Sequence, residues 1–184
     1  MKKLFIASII LLSTQNCLLA QQVNSKKFWG EVALGYAWSL ADNGKSYDLS
    51  HKNLYGNMYM ANWRIKAGYY ITPQFSLGVD LGMNGYHNFD INTLPIFVDI
   101  RYHLKNIPQV FSYANVGIPI AASDLPLTFG FMADIGFGYR FALGKRTALN
   151  PSVGYNMFCY SQDIGNGNET RSRHSIFLQL GFEF

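Results

Sequence analysis

Apolar residues occupy every second position through most of the chain after Gln21. About eight segments share this alternation, and each places apolar side chains on one face and small or polar side chains on the other. In chain order they are Phe28–Leu40, about Met60–Ile71, Phe75–Met83, Leu94–Leu104, about Val110–Ile120, Phe129–Phe141, Leu149–Met157 and Ile176–Phe184. A period of two is that of a β-strand. The pattern therefore predicts an all-β protein built from about eight strands.

The fifth segment departs from the pattern. Phe111 and Tyr113 are out of phase with the apolar positions from Val116 to Ile120. A β-bulge near Ala114 would bring all of them to one face, because a bulge inserts one extra residue into a strand. Pro119 is expected near a strand end.

The connections alternate in length. The short ones are Thr72–Gln74, Lys105–Gln109 and Gly144–Lys145, and the longer ones are Ala41–Tyr59, Gly85–Thr93, Ala121–Leu127 and Ser161–Ser172. Short turns at one end and long polar loops at the other are typical of antiparallel up-and-down transmembrane β-barrels. In such barrels the turns are periplasmic and the loops extracellular, and the strand number is even.

The polar face indicates which side of the barrel meets lipid. It consists mostly of Gly, Ala, Ser and Asn with isolated charges, whereas a soluble barrel presents many long charged side chains to water. Small residues suit the crowded interior of an eight-stranded barrel. We therefore expect the polar face to line the lumen and the apolar face to meet lipid; a soluble, lipocalin-like lipid-binding barrel is the alternative.

The isolated charges of the inward face are nearly balanced. Buried charges must be paired, since removing an ion from water costs several kcal/mol. The sequence thus predicts an interior ion-pair network. Its predicted acidic members are Glu31, Asp80, Asp99, Asp134 and Glu183, and its basic members are Arg64, Lys66, Arg101 and Arg140, with Arg173 as a further inward base.

Aromatic residues near the strand ends predict two girdles at the membrane interfaces. The girdle expected at the turns consists of Trp29, Tyr70, Phe75, Tyr102, Tyr139 and Phe182. The girdle expected at the loops consists of Trp38, Trp63, Tyr86, Phe129, Tyr155 and Tyr160.

The N-terminus has the order of a secretory signal peptide: two lysines, the apolar run Leu4–Leu12, and Ala20 before polar residues. We expect a signal peptide at residues 1–20 and one barrel domain at 21–184. Lipoprotein processing at Cys17 is an alternative, but Thr14–Asn16 is not the small or apolar sequence that such sites prefer.

The composition differs from that of a soluble domain. Of the 184 residues 14% are charged, which is a low fraction for a soluble domain, and 16% are aromatic, which is a high one. The net charge of +4 is too small to indicate nucleic-acid binding.

The signal peptide, the alternating strands and the ending His174–Phe184 resemble the small outer-membrane β-barrel proteins of Gram-negative bacteria, the OmpA/OmpX-like class. The resemblance implies a monomer in the outer membrane, in contact with lipids and lipopolysaccharide. It also implies that the last strand carries the signal read by the barrel-assembly machinery, at Leu178, Leu180, Phe182 and Phe184. The implied role is structural or in surface interactions.

No motif for a cofactor, a metal ion or a catalytic nucleophile is present, and we expect none of these sites. An enzyme that modifies outer-membrane lipid, of the lipid A deacylase or acyltransferase type, is the alternative. It would use His174, Ser175 and an acid such as Asp163 or Glu169, yet adjacent residues of a strand point to opposite faces. An open pore is disfavoured because open channels usually need about 16 strands. Binding through the loops Asp42–Asn57 and Gln162–Arg173 stays open.

Overall fold

A computed structural model describes residues 28–42, 59–87, 92–121, 127–163 and 168–184. Within these ranges the chain forms nine β-strands. They are β1 (Phe28–Asp42), β2 (Tyr59–Tyr70), β3 (Phe75–Tyr86), β4 (Asn92–His103), β5 (Val110–Ala121), β6 (Leu127–Tyr139), β7 (Phe141–Ala142), β8 (Ala148–Asp163) and β9 (Asn168–Glu183). The predicted signal peptide and most of the first loop lie outside the described residues. No helix in the described ranges is long and apolar enough to cross a bilayer.

Every strand pairs with its neighbours in antiparallel fashion, and the sheet closes on itself. β1 pairs with both β2 and β9, and β6 pairs with β8. The two-residue β7 pairs with the start of β8 and is separated from β6 by Arg140 alone, so it continues the path of β6. The result is a closed barrel of eight strands with one short extra strand, which confirms the predicted fold class.

Burial alternates along the strands as the sequence pattern predicts. In β4, the side chains from Thr93 to Phe97 alternate between buried and exposed, with Thr93 and Phe97 inward and Leu94 and Ile96 outward. Exposed large apolar side chains cover the outside of every long strand, at 36% to 72% exposure. The interior therefore holds the polar and charged side chains, and the outer wall is apolar.

The predicted bulge near Ala114 is wrong. The pairing of β5 with β4 is continuous from Phe111 to Ala121, and its pairing with β6 is continuous from Val110 to Gly117. Phe111 and Tyr113 are out of phase because they point into the lumen, where they are 4% and 5% exposed. The irregularities of register lie elsewhere, between Ser39 and Ala41 in β1 and between Leu127 and Phe129 in β6.

Two of the predicted long loops are shorter than expected. Strand pairing continues through most of the predicted loop Ser161–Ser172, as far as the pair Asp163 and Asn168. In the predicted loop Gly85–Thr93, β3 extends to Tyr86 and β4 begins at Asn92. Polar residues in these segments resemble loop sequence, but they are compatible with a strand that continues beyond the apolar part of the barrel.

The two ends of the barrel differ. We call the end with the connections Ile71–Gln74, Leu104–Gln109 and Leu143–Thr147 the turn end, and the opposite end the loop end. The first turn is closed by Thr72, whose Oγ1 accepts a hydrogen bond from the backbone N–H of Phe75 at 3.0 Å. Phe28 and Phe184 also lie at the turn end.

The predicted aromatic girdles are only partly correct. Trp38, Trp63 and Tyr155 at the loop end, and Tyr102 and Phe182 at the turn end, lie on the outer wall with 38% to 49% of each side chain exposed. By contrast, Trp29, Tyr86 and Tyr160 are buried in the lumen, at 4%, 5% and 1% exposure. Tyr70 also points inward, and its hydroxyl lies 3.4 Å from Nε2 of His103. The side chain of Phe129 lies outside the described part.

The outer girdles are separated by the height of a membrane. Phe28 lies at the turn end of β1, and Trp38 is the outward aromatic residue of β1 nearest the loop end. At about 3.3 Å per residue and a tilt of about 40°, the stretch between them spans about 25 Å of barrel height. This is the height of the apolar band in outer-membrane barrels.

Candidate functional site in the barrel lumen

Charged side chains are confined to two regions of the described barrel. Lys105, Lys145 and Arg146 are in the turns, and every other charged side chain that the structure describes is buried in the lumen. The buried acids are Glu31, Asp80, Asp99, Asp134 and Glu183. The buried bases are Arg64, Lys66, Arg101, Arg140, Arg171 and Arg173. The lumen thus contains five acids and six bases, all of them at most 8% exposed.

Arg101 links two of the acids near the turn end. Its Nη1 donates to Oε2 of Glu31 at 2.8 Å, and its Nε donates to Oδ1 of Asp99 at 2.9 Å. Nη2 donates to the second oxygen of each carboxylate, at 3.3 Å in both cases. The guanidinium group also stacks on the ring of Trp29, with its carbon 3.8 Å from the ring centroid. Arg101 is therefore held by two charged hydrogen-bonded partners and a cation–π contact.

Lys66 lies at the centre of the network. Its Nζ is 3.6 Å from Glu31, 3.8 Å from Asp80 and 3.9 Å from Asp99. It donates a hydrogen bond to Oε1 of Gln179 at 2.9 Å. A single ammonium group therefore faces three carboxylates, which offsets their mutual repulsion.

Arg64 extends the network towards the loop end. Its Nη1 donates to Oδ2 of Asp80 at 3.1 Å, and its Nη2 donates to Oδ2 of Asp134 at 3.5 Å. Asn156 donates a hydrogen bond to the other oxygen of Asp134. The Arg64 guanidinium lies over the ring of Phe97, 4.5 Å from its centroid.

Arg140 and Glu183 form the part of the network nearest the turn end. Arg140 Nη2 donates to Glu183 Oε1 at 2.8 Å, and its Nε donates to the same carboxylate at 3.1 Å. Asn150 joins this pair to the rest, since its Nδ2 donates to Glu31 at 2.7 Å and to Glu183 at 3.1 Å. All nine residues of the predicted network are thus connected, from Glu183 to Asp134.

The loop-end half of the lumen is more apolar. Tyr86 and Phe158 stack with ring centroids 5.8 Å apart, and Tyr160 packs on Phe158 at 4.8 Å. The Arg173 guanidinium lies 5.0 Å from the Tyr86 ring centroid. Met132 lies fully buried in this half of the lumen. The hydrogen-bonded ion pairs of the described lumen thus lie mainly towards the turn end, and a cluster of stacked aromatic rings with Arg173 lies towards the loop end.

Inward glycines make room for the inward aromatics. A Cβ atom at Gly138 would lie 2.3 Å from the Phe111 ring. Cβ atoms at Gly136 and Gly154 would each lie 2.4 Å from the Tyr113 hydroxyl oxygen. Such distances are far below van der Waals contact, so a larger residue would displace the ring. The lumen glycines therefore determine where the large side chains fit.

Several members of the lumen site were not predicted from the sequence. Asn150 and Gln179 bond directly to the charged groups, and Arg171 is a sixth inward base. Asn150 alternates with the apolar residues of its strand, but nothing in that strand indicates a bridge between two acids. Arg171 lies in the segment Ser161–Ser172 that the sequence predicts as a loop, whereas the structure places it in β9.

The Ser–His pair that the alternative, lipid-modifying enzyme would need is not assembled within the described strand. Ser175 is 3% exposed and points into the lumen, whereas His174 is on the outer wall and its Nδ1 is hydrogen-bonded to the hydroxyl of Tyr155. The two side chains are therefore on opposite faces of β9. The side chains of Asp163 and Glu169 lie outside the described part.

The four residues expected to form the assembly signal share the outer face of β9. Leu178, Leu180, Phe182 and Phe184 are 44% to 54% exposed. Phe184 exchanges backbone hydrogen bonds with Gly30, and its ring lies close to the Gly30 position where a Cβ would be. The last residue therefore takes part in closing the barrel between β9 and β1.

Solved structures provide the comparison for this fold, since no family model and no curated protein matches the chain. Neisserial surface protein A has a TM-score of 0.53 at 17% identity, with 85% of this chain and 95% of that chain covered. The outer membrane protein AlkL, solved in lipid bilayers, has a TM-score of 0.52 at 13% identity, with 86% and 90% covered. OprG from Pseudomonas aeruginosa has a TM-score of 0.50 at 13% identity, with 86% and 96% covered.

This chain has the fold of an outer-membrane β-barrel. The predicted resemblance to small barrels of this kind is confirmed at the level of the fold. Because the outer wall of the barrel is apolar over a membrane's height and carries no Asp, Glu, Lys or Arg among the described strand side chains, it is a lipid-facing surface. The protein is thus located in the outer membrane. A soluble, lipocalin-like barrel does not fit this surface.

Proposed function

We propose that this protein is a structural outer-membrane barrel that acts through its surface and conducts no solutes. The observation that supports this is the connected network across the lumen, from Glu183 through Lys66 to Asp134. In eight-stranded barrels the interior is just wide enough to be filled by side chains. The proposed orientation has the turns in the periplasm and the loops outside the cell.

Conductance in planar bilayers tests the absence of a pore. We expect no discrete conductance steps from the folded protein, because ions would have to displace buried ion pairs that are at most 8% exposed. Insertion is checked separately by heat-modifiable migration of the protein recovered from the bilayer. Reproducible steps from correctly inserted protein would contradict the proposal.

The geometry of His174 and Ser175 argues against catalysis by that pair. A serine nucleophile and its histidine base must be within hydrogen-bond reach. Here β9 carries the two residues on opposite sides of the barrel wall. We therefore propose a protein without catalytic activity.

The proposed partners are the lipids and lipopolysaccharide around the wall and an extracellular ligand at the loops. We propose that the protein acts as a monomer.

We also propose that the outer face of β9 is the signal for the barrel-assembly machinery. Support comes from the apolar column that ends at Phe184. Replacing Phe184 with Ser should lower the amount of folded barrel in the outer membrane, measured as the heat-modifiable fraction after expression in a Gram-negative host. Phe141→Ser is the control, because Phe141 is also an outward phenylalanine at the turn end but is not in the last strand. Equal losses in both variants would mean that Phe184 contributes only to lipid contact.

A further inference from the structure

The outer face of β9 changes from apolar to polar between two adjacent outward positions. From Phe182 to Ile176 the outward side chains are apolar and 41% to 50% exposed. The next outward residues towards the loop end are His174, Ser172 and Thr170. The change marks the boundary between the hydrocarbon and headgroup regions on this side of the barrel.

The position of His174 relative to the aromatic girdle agrees with this boundary. Ile176 pairs with Trp38 on one side and with Tyr155 on the other, so these three residues form a row across three strands. Trp and Tyr are enriched at the membrane interface, where one part of the ring is apolar and the other is polar. His174 pairs with Met157 in the next outward row, nearer the loop end. On its other side His174 pairs with Ala41, next to the outward Leu40, so its imidazole lies one row beyond the aromatic row, towards the loop end.

Tyr155 fixes the orientation of this imidazole. The Tyr155 hydroxyl forms a hydrogen bond with Nδ1 of His174, and the two rings stack with centroids 5.9 Å apart and 28° between their planes. A histidine held through one ring nitrogen presents the other nitrogen in a defined direction. Nε2 is separated from Nδ1 by Cε1 alone, and its in-plane direction diverges from that of the Tyr155 hydrogen bond.

We propose that His174, held by Tyr155, binds the phosphate group of a lipid at the loop end of the barrel. In the tautomer whose Nδ1 accepts the hydrogen bond from the Tyr155 hydroxyl, Nε2 carries the proton and donates to a phosphate oxygen, and the rings of Tyr155 and Trp38 pack against the lipid below it. The outer wall offers no competing base, because no Lys or Arg lies on it among the described strand side chains. The proposal rests on the proposed function only in requiring that the barrel spans the membrane.

Solid-state NMR of the folded barrel in lipid bilayers tests the contact directly. The ring nitrogens of histidine are labelled with ¹⁵N, and dephasing of their signals by lipid ³¹P is measured. The His174 signals are assigned by their loss in His174→Gln. Three bilayers are compared: phospholipid alone, phospholipid with lipopolysaccharide, and a galactolipid without phosphate.

We expect ³¹P dephasing of one His174 nitrogen in at least one phosphate-containing bilayer and its complete loss in the galactolipid. Dephasing in phospholipid alone assigns the ligand to a phosphodiester headgroup, whereas dephasing only with lipopolysaccharide assigns it to the phosphates of that lipid. Tyr155→Phe should remove most of the dephasing, because the imidazole loses its orienting partner. Tyr102→Phe is the matched control, since Tyr102 is an outward tyrosine at the turn end and should leave the dephasing unchanged.

Absence of dephasing in both phosphate-containing bilayers would overturn the proposal. Dephasing that persists at wild-type strength in Tyr155→Phe would overturn the role of Tyr155. The contact of His174 with lipid phosphate would then be incidental. These results are independent of the conductance measurement. A barrel that conducts ions but shows the contact would contradict the proposed function and leave the lipid site in place.

Discussion

Arg101→Met is expected to destabilise the folded barrel by about 3 to 5 kcal/mol, the usual cost of removing one partner from a buried ion pair. Arg101 is 4% exposed and donates to both Glu31 and Asp99. Without the guanidinium, Lys66 alone would face the same two carboxylates from 3.6 and 3.9 Å. Repulsion between the acids and the cost of their burial would then act together.

Equilibrium unfolding by urea in lipid vesicles, followed by tryptophan fluorescence, measures this loss. Lys105→Met is the matched control, because Lys105 is an exposed turn residue and its loss should change stability by no more than about 0.5 kcal/mol. Adding Asp99→Asn to Arg101→Met removes one of the uncompensated acids. The double variant should therefore be less destabilised than the sum of the single variants. Strict additivity would show that the charges do not act as one network.

The face on which the lumen charges lie could be predicted from the sequence for all of them except Arg171. Strand parity alone placed Asp80, Asp99 and Glu183 inward, since they alternate with apolar residues over long segments. Which acid meets which base could not be predicted. Arg101 and Glu31 belong to strands that are not neighbours in the sheet, and their contact across the lumen depends on barrel closure and side-chain length.

Several aromatic residues lie on the opposite face from the one that the sequence pattern predicts. Trp29, Phe111 and Tyr113 are inward, because a narrow barrel needs some large side chains to fill its lumen. A signal for this was present in the neighbouring strand. Gly138, opposite Phe111 in the register, has no side chain, and the ring occupies the space that a Cβ would need. A glycine paired with an aromatic residue on the adjacent strand thus indicates that the aromatic ring lies in the lumen. Alternation within one strand does not indicate this.

The hydrophobic alternation does not reveal how far β8 and β9 extend towards the loop end, to Asp163 and from Asn168. Beyond Ile176 the outward residues of β9 are His174, Ser172 and Thr170, as expected of a strand that extends past the apolar band. The hydrophobic alternation therefore ends before the strand does. His174 lies at this change, and its hydrogen bond to Tyr155 depends on strand pairing that the sequence pattern does not reveal.

The second large effect is expected on the outer wall. Val98→Arg should destabilise the barrel by about 2 to 4 kcal/mol, the cost of an arginine that faces lipid near the bilayer midplane. Val98 is outward in the middle of β4, where it lies between Val79 of β3 and Val116 of β5. The new guanidinium would have no acid within this apolar row and would have to extend a long way to reach water.

Tyr102→Arg provides the control within the same strand. Tyr102 and Val98 are on the same face of β4 and are equally exposed, at 49% each, but Tyr102 is at the turn end, where the guanidinium can reach the interface. Its substitution should cost only about 0 to 1 kcal/mol. Both variants are measured by urea unfolding in the same lipid vesicles. In water, two arginines on equally exposed positions would have similar small effects, so a difference that follows depth along β4 can arise only if the wall is in contact with lipid.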